Sequence, residues 1–396
     1  MMAGRRPASL GLLLGIGAAT AAAHIGNNFT TYLIGGLIDR YGFTPIQMGA
    51  WSMTESLSYA AAMFVLAPRA GRLSPRLLVA VAGALIVAAQ FAAAAVSLYP
   101  LLLATRVATG IGFGIANAAV NLAAGRTEHP ARAISLGITF QTLLYAAVNI
   151  VLPMIGQRFG VGGMFVALGA LSAILLAGAL GVPGKRTPTA ATRAVAGSVA
   201  LGRDHLRVLV AMALFTFGSL AIWPFMERAA HAIGISAVLF GRFQGTATIA
   251  SAFGNLILAL LVARLPRGLS LLGALLVCGL SCALLTTIHD HAVFAAALLA
   301  YNVSWFVTYP LLLGIGFAID GSGRLVVLCS GVWLTMMALG SLATGIIAEL
   351  LGGYAPAGLF GLFFCLAAAA VAWPLARRLD AERTARPSGA LPSTAG

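Results

Sequence analysis

The sequence predicts an all-α integral membrane protein: twelve transmembrane helices in two pseudo-symmetric six-helix bundles. Three observations predict it. Apolar runs long enough to cross a bilayer recur along the chain. Basic residues gather in alternate loops. The two halves repeat each other's glycines and charges at an offset of 192 residues.

Composition sets the class. Of 396 residues, 60% are hydrophobic and 9% charged, with mean hydropathy +0.97. A soluble domain carries roughly 25% charged residues, because its surface must face water. The 47 glycines suit helices that pack backbone to backbone in lipid. The formal charge of +14 does not mark a nucleic-acid binder, since the basic residues lie between hydrophobic segments and form no patch on a soluble domain. Cys278, Cys282, Cys329 and Cys365 all fall in apolar runs and read as small buried hydrophobes, not as a disulfide framework. Arg5 and Arg6 precede an apolar run, Leu10 to Ile38, that is too long for a signal-peptide core and reads as the first membrane helix.

A spanning helix needs about 20 mostly apolar residues. Candidates lie at 9–38, 44–67, 74–97, 99–124, 132–157 and 161–182, then at 206–231, 235–262, 268–288, 291–317, 324–350 and 354–376. With the N-terminus in the cytoplasm, 19 of the 24 Lys and Arg fall in cytoplasmic segments; only Arg40, Arg158 and Arg228 fall outside, and Arg106 and Arg242 lie within helices. That split places both termini in the cytoplasm of a bacterial inner membrane. The domains are therefore an N-terminal bundle (1–182), a cytoplasmic linker rich in Pro, Thr and basic residues (183–205), a C-terminal bundle (206–376) and a polar tail expected to be disordered (377–396).

The repeat needs no gap. Gly42 and Gly49 fall on Gly234 and Gly241, Arg72 on Arg264, Glu128 on Asp320, Arg132 on Arg324, and Gly160 on Gly352. Matched charges and glycines in loops are the residue of a duplicated six-helix unit. Within this frame, Arg106, Gly110 and Gly112 form an R-x-x-x-G-x-G run in the fourth helix, and Pro68-Arg69-Ala70-Gly71-Arg72 fills the second-to-third loop. On these features the chain resembles the major facilitator superfamily (MFS) over essentially its whole length. The loop lacks the acidic residue of that family's D-R-x-G-R pattern. The fifth helix keeps only Pro153 and Gly156 of an antiporter-type Gly-Pro motif. The resemblance implies the MFS fold, alternating access, and a central cavity lined by helices one, four, seven and ten.

Glu55 is the one acidic residue deep inside an apolar run. It lies ten residues from Pro45, about 15 Å into a core of about 30 Å. A carboxylate there is costly and is a functional candidate by default. Arg106 enters its own helix from the same side. Two readings stand: a proton-coupling site of Glu55, Arg106 and His24, or a permanent ion pair between helices two and four.

Polar stripes recur at helical spacing on several helices, and amides in lipid must find partners, so these faces look inward. Asn28, Asn117, Asn121, Gln141, Tyr145, Trp223, Asn302, Trp305 and Tyr309 are the expected substrate contacts, with helix–helix bonding as the alternative. Arg72, Glu128, Arg132, Arg264, Asp320 and Arg324 are the expected cytoplasmic gate.

No metal site is expected, since His289-Asp290-His291 supplies too few ligands. No Walker sequence, nucleophile elbow or zinc-protease motif appears, so neither ATP drive nor an enzyme is expected. The expectation is a monomeric secondary transporter in the bilayer, without cofactor and driven by the proton gradient. It would carry a small organic solute, with a slight preference for an organic anion based on Arg106 and Arg242. A drug or metabolite efflux antiporter, or a non-transporting membrane receptor on the same fold, is the alternative.

Overall fold

The computed structural model describes residues 10–66, 73–125, 127, 130–182, 202–261, 265–320 and 324–385, and its regular structure is helical. The first four helices are α1 (Leu10–Tyr41), α2 (Pro45–Leu66), α3 (Pro75–Ala95) and α4 (Tyr99–Ala124). A long run, Pro130–Ala179, is broken at Gly160, whose φ of 68° and ψ of −171° leave the helical region. It forms two segments, α5 (130–159) and α6 (161–179). The next, α7 (Arg203–Ala232), is also interrupted: Arg203–Ser219 gives way to a 3₁₀ turn at Trp223–Phe225 and resumes as Met226–Ala232. Then follow α8 (Ala237–Leu261), α9 (Arg267–Thr287), α10 (His291–Ile319), α11 (Arg324–Leu350) and α12 (Ala355–Ala385).

Among the described residues, nine segments are long and apolar enough to cross a membrane. The run holding α5 and α6 is one of the nine, and α2 and α8 complete the twelve. Large apolar side chains such as Phe64, Phe159, Ile174, Phe253 and Phe363 are exposed. A solvated monomer rarely exposes so many, and a lipid-facing surface requires them.

Sequence-local signals set the ends. Proline opens α2, α3 and α5, where its missing N–H costs nothing. Among the described residues, the left-handed backbone positions are Gly42, Gly160, Gly234 and Gly352, with φ between 66° and 83°. A residue with a Cβ is strained there. These glycines are two of the repeat pairs: each half reverses its chain after its first and fifth helices through the same turn.

Helices α1 to α6 pack on one another, as do α7 to α12, and the halves meet along two seams, α2 against α11 and α5 against α8. The 192-residue repeat interchanges the seams. Glycines bring the backbones together. A Cβ at Gly49 would strike the Ser341 carbonyl, and one at its repeat partner Gly241 would strike the Asn149 carbonyl, itself the repeat partner of Ser341. These contacts lie toward the face where α1 ends and α2 begins, called here the far face; the chain ends lie toward the near face.

Two sequence-based boundaries shift. The helix expected at 206–231 begins at Arg203, so 203–205 belong to α7 and not to the linker; residues 183–201 lie outside the described residues. The tail expected to be disordered from 377 is helical to Ala385. Its charges are used: Asp380 accepts from the Arg267 and Gly268 N–H groups at the start of α9 (2.9 and 2.8 Å), and Arg378 pairs with Asp204 at 2.6 Å. Polar composition suggested a free tail, but Asp380 caps α9 and Arg378 pairs with α7.

Candidate functional site

The deepest charged cluster lies inside the N-terminal half, among α1, α2 and α4. Glu55 and Arg106 form an ion pair, each 1% exposed. Both bonds to the carboxylate fall on one oxygen: Oε2 takes Arg106 Nη1 and the Thr109 hydroxyl, the latter at 2.9 Å. Arg106 Nη2 donates to Thr30 on α1 at 3.0 Å, and its guanidinium lies 3.5 Å from the Trp51 ring centroid. Three buried atoms at this spot have no hydrogen-bond partner: Glu55 Oε1, Arg106 Nε and Trp51 Nε1. Helix α1 admits the cluster through Gly26, where a Cβ would collide with the Glu55 carboxylate and the Phe113 ring.

His24 is half-buried one turn away on α1. Its Nδ1 lies 2.9 Å from the Thr20 carbonyl, which can only accept, so Nδ1 donates there, and Nε2 lies 3.4 Å from the Tyr59 hydroxyl. Through the Tyr59 contact His24 joins α1 to α2.

A second charged cluster corrects the expectation that Glu55 alone is buried. Glu227 on α7 is 2% exposed. Arg228 Nε and Nη2 occupy both of its oxygens, at 2.8 and 3.1 Å, and its own N–H donates to Thr31 of α1 at 2.9 Å. Arg228 also grips Asp39 of α1 with Nη1 and Nη2, at 2.6 and 3.1 Å. A Cβ at Gly35 would strike the Glu227 carboxylate. The segment before Glu227 contains Pro224 and a helix break, and Glu227 is next to an arginine, so hydropathy reads it as a helix end. A cavity of about 650 Å³ opens on the far face beside this cluster.

The expected substrate contacts separate into two groups. Several are helix–helix bonds. The Tyr145 hydroxyl donates to Ala21 O at 2.5 Å. Asn302 exchanges amide bonds with Gln244 of α8 at 3.1 and 3.3 Å. Asn28 donates to His24 O within its own helix, and Asn117 lies against Met63 Sδ. Gln141 is half-buried and Asn121 is exposed. Trp223 crosses to the other half, and Trp305 and Tyr309 form an aromatic cluster of the C-terminal half. Trp223 Nε1 donates to Asn27 O of α1 at 2.8 Å. Trp305 and Tyr309 of α10 stack within 8° of parallel, with Phe215 of α7 on the other side of Trp305 and Trp333 of α11 beside Tyr309. The indole N–H groups of Trp305 and Trp333 are buried without a partner. Sequence reading missed Trp51, Trp333 and Asn27. A Trp one turn before Glu55 was the available signal for the first.

Of the expected gate residues, Arg72, Glu128 and Arg264 lie outside the described residues, as does the side chain of Arg324. Arg132 is exposed. Asp320 accepts from the Leu325 N–H at 3.0 Å. In the His289-Asp290-His291 turn, Asp290 caps α10 through the Val293 N–H and His291 Nε2 donates to Ile233 O.

No curated protein sequence matches the chain. Solved structures do match in fold. The nucleoside transporter NupG aligns at TM-score 0.70 and 13% identity, over 93% of this chain and 98% of that one. A mutant of the peptide transporter POT aligns at TM-score 0.74 and 14% identity, over 93% and 95%. A bacterial homologue of the human lysosomal transporter Spinster aligns at TM-score 0.68 and 16% identity, over 98% and 100%. The sequence model of the Major Facilitator Superfamily matches residues 14–319. The chain belongs to the Major Facilitator Superfamily.

Proposed function

We propose that this chain is a monomeric secondary active transporter of the bacterial inner membrane. It moves a small organic solute by alternating access and couples the movement to protons at Glu55. The near face is the cytoplasmic one, because the short loops there carry the basic residues. The glycine-tight contacts at the far-face ends of both seams describe a state closed toward the outside. The solute sits between the halves, against Trp305, Tyr309 and Trp333 on one side and Asn27, His24 and Tyr59 on the other.

The observation that carries the coupling role is the asymmetry of the Glu55 carboxylate. Arg106 and Thr109 share one oxygen, and the other is buried and unpartnered. A permanent structural pair gains most when both oxygens are satisfied. An unused oxygen lets a proton arrive without first breaking the Arg106 contact. The preference for an organic anion loses the two side chains it rested on: Arg106 is enclosed by Glu55, Thr30 and Trp51, and Arg242 is exposed on α8.

The test is reconstitution in proteoliposomes with a trapped pH dye, screened against a panel of metabolites. Solutes that move protons with the wild type should still bind Glu55→Gln in a thermal-shift assay but move no protons with it. Unchanged proton movement and pH dependence in Glu55→Gln would assign the pair a structural role.

A further inference from the structure

The far-face cavity beside Arg228 lies away from both Glu55 and the aromatic cluster. Its volume of about 650 Å³ falls in the range of small-molecule sites. One wall is apolar, with Pro153, Val161, Met164 and Val238; the other presents Asp39, Glu227 and Arg228. The lining also carries Arg40, exposed at the end of α1, and His231. Asp39, Glu227 and Arg228 are unequally held. Glu227 is 2% exposed and has both oxygens on the guanidinium. The Arg228 side chain is 9% exposed, and that of Asp39 is 59% exposed.

We propose that this cavity docks a small carboxylate-bearing solute with an apolar body, whose carboxylate takes the place of Asp39 on Arg228. The guanidinium fork already holds two carboxylates at once, so the geometry needed for the solute is in place. An ion pair with a solvated partner is weak, so exchanging Asp39 for another carboxylate costs little. Glu227 cannot be exchanged so cheaply, because it would be left buried and unpaired. A cationic solute fits less well, since both acids at the cavity are already committed to Arg228. The exchange has a mechanical result. Asp39 belongs to α1 and Arg228 to α7, so the arriving solute undoes an ionic link between the halves on the face that must open to receive it.

The experiment is isothermal titration of the full-length protein in detergent with benzoate, using benzamide as the uncharged control of the same shape. Benzoate should bind and benzamide should not. Asp39→Asn removes the internal competitor and should tighten benzoate by up to about fivefold, which is what about 1 kcal/mol returns. The double variant Glu227→Gln/Arg228→Gln removes the guanidinium without stranding a buried charge and should abolish binding. Failure of benzoate to bind both the wild type and Asp39→Asn would overturn the proposal. So would equal binding of benzamide, an unchanged or weaker affinity in Asp39→Asn, or benzoate binding retained by the double variant.

Discussion

Glu55 and Glu227 are both buried carboxylates, both face an arginine and both rest against a glycine of α1, yet they are built for different work. Glu55 joins three helices of one half and leaves an oxygen unused. Glu227 uses both oxygens on Arg228, which reaches on to α1 of the other half. The first is a closed compartment whose charge state can change while the bundle stays whole. The second is a joint, and the other ion pairs among the described residues each lie within one half. Burial alone therefore does not identify a coupling group. What separates the two sites is how many oxygens are spoken for, and whether the partner belongs to the same half.

The sharpest way to break the comparison is to remove each arginine. Arg106→Leu strands the 1%-exposed Glu55 carboxyl without its cation and should destabilise the protein by about 3–5 kcal/mol. Adding Glu55→Gln should recover most of that loss. Arg228→Leu strands Glu227 beside an open cavity that can hydrate it, and should cost less, about 1–3 kcal/mol. Thermal unfolding in one detergent, all variants side by side, checks the order. If Arg228→Leu costs as much as Arg106→Leu, the far-face carboxylate is as dependent on its arginine as the inner one and the contrast fails.

The glycines offer a smaller perturbation. Ala at Gly26 drives a methyl into the Glu55 carboxylate and the Phe113 ring, which are 1% exposed each and have no space to retreat. Ala at Gly35 meets the Glu227 carboxylate, which has the cavity on one side. Overpacking typically costs about 1–3 kcal/mol. Gly26→Ala should fall at the upper end and Gly35→Ala at the lower, read as the shift in melting temperature.

The two sites were not equally legible. Glu55 stands alone in an apolar helix, so one rule about charge in lipid finds it. The repeat glycines were legible because a left-handed turn tolerates little else: Gly42, Gly160, Gly234 and Gly352 all carry positive φ. Glu227 was legible only as the last member of a polar stripe on the seventh helix, after Thr216, Ser219 and Trp223; its burial was not, because it lies near the end of that apolar run and beside Arg228. The stripes told that Asn302 and Tyr145 face inward, but not that Gln244 and the Ala21 carbonyl would consume them. Periodicity gives a direction, whereas a hydrogen-bond partner on another helix depends on register between helices.

The smallest expected change in stability comes from Asp39→Asn, and it tests whether the second site is a joint. An exposed member of an ion pair contributes at most about 1 kcal/mol, so the melting temperature should barely move. The far face should nevertheless loosen, because α1 keeps only the Thr31 and Asn27 contacts to α7 among those given above. A cysteine at Val161, buried and lining the cavity from α6, reports that opening through its rate of maleimide labelling. The four native cysteines are buried and contribute little background. Labelling should speed up severalfold in Asp39→Asn and stay at the wild-type rate in Thr109→Val, which trims the Glu55 cluster without touching the other half. Equal acceleration in both variants would mean that the two acid–arginine clusters are one coupled network, and that the separation of compartment from joint does not hold.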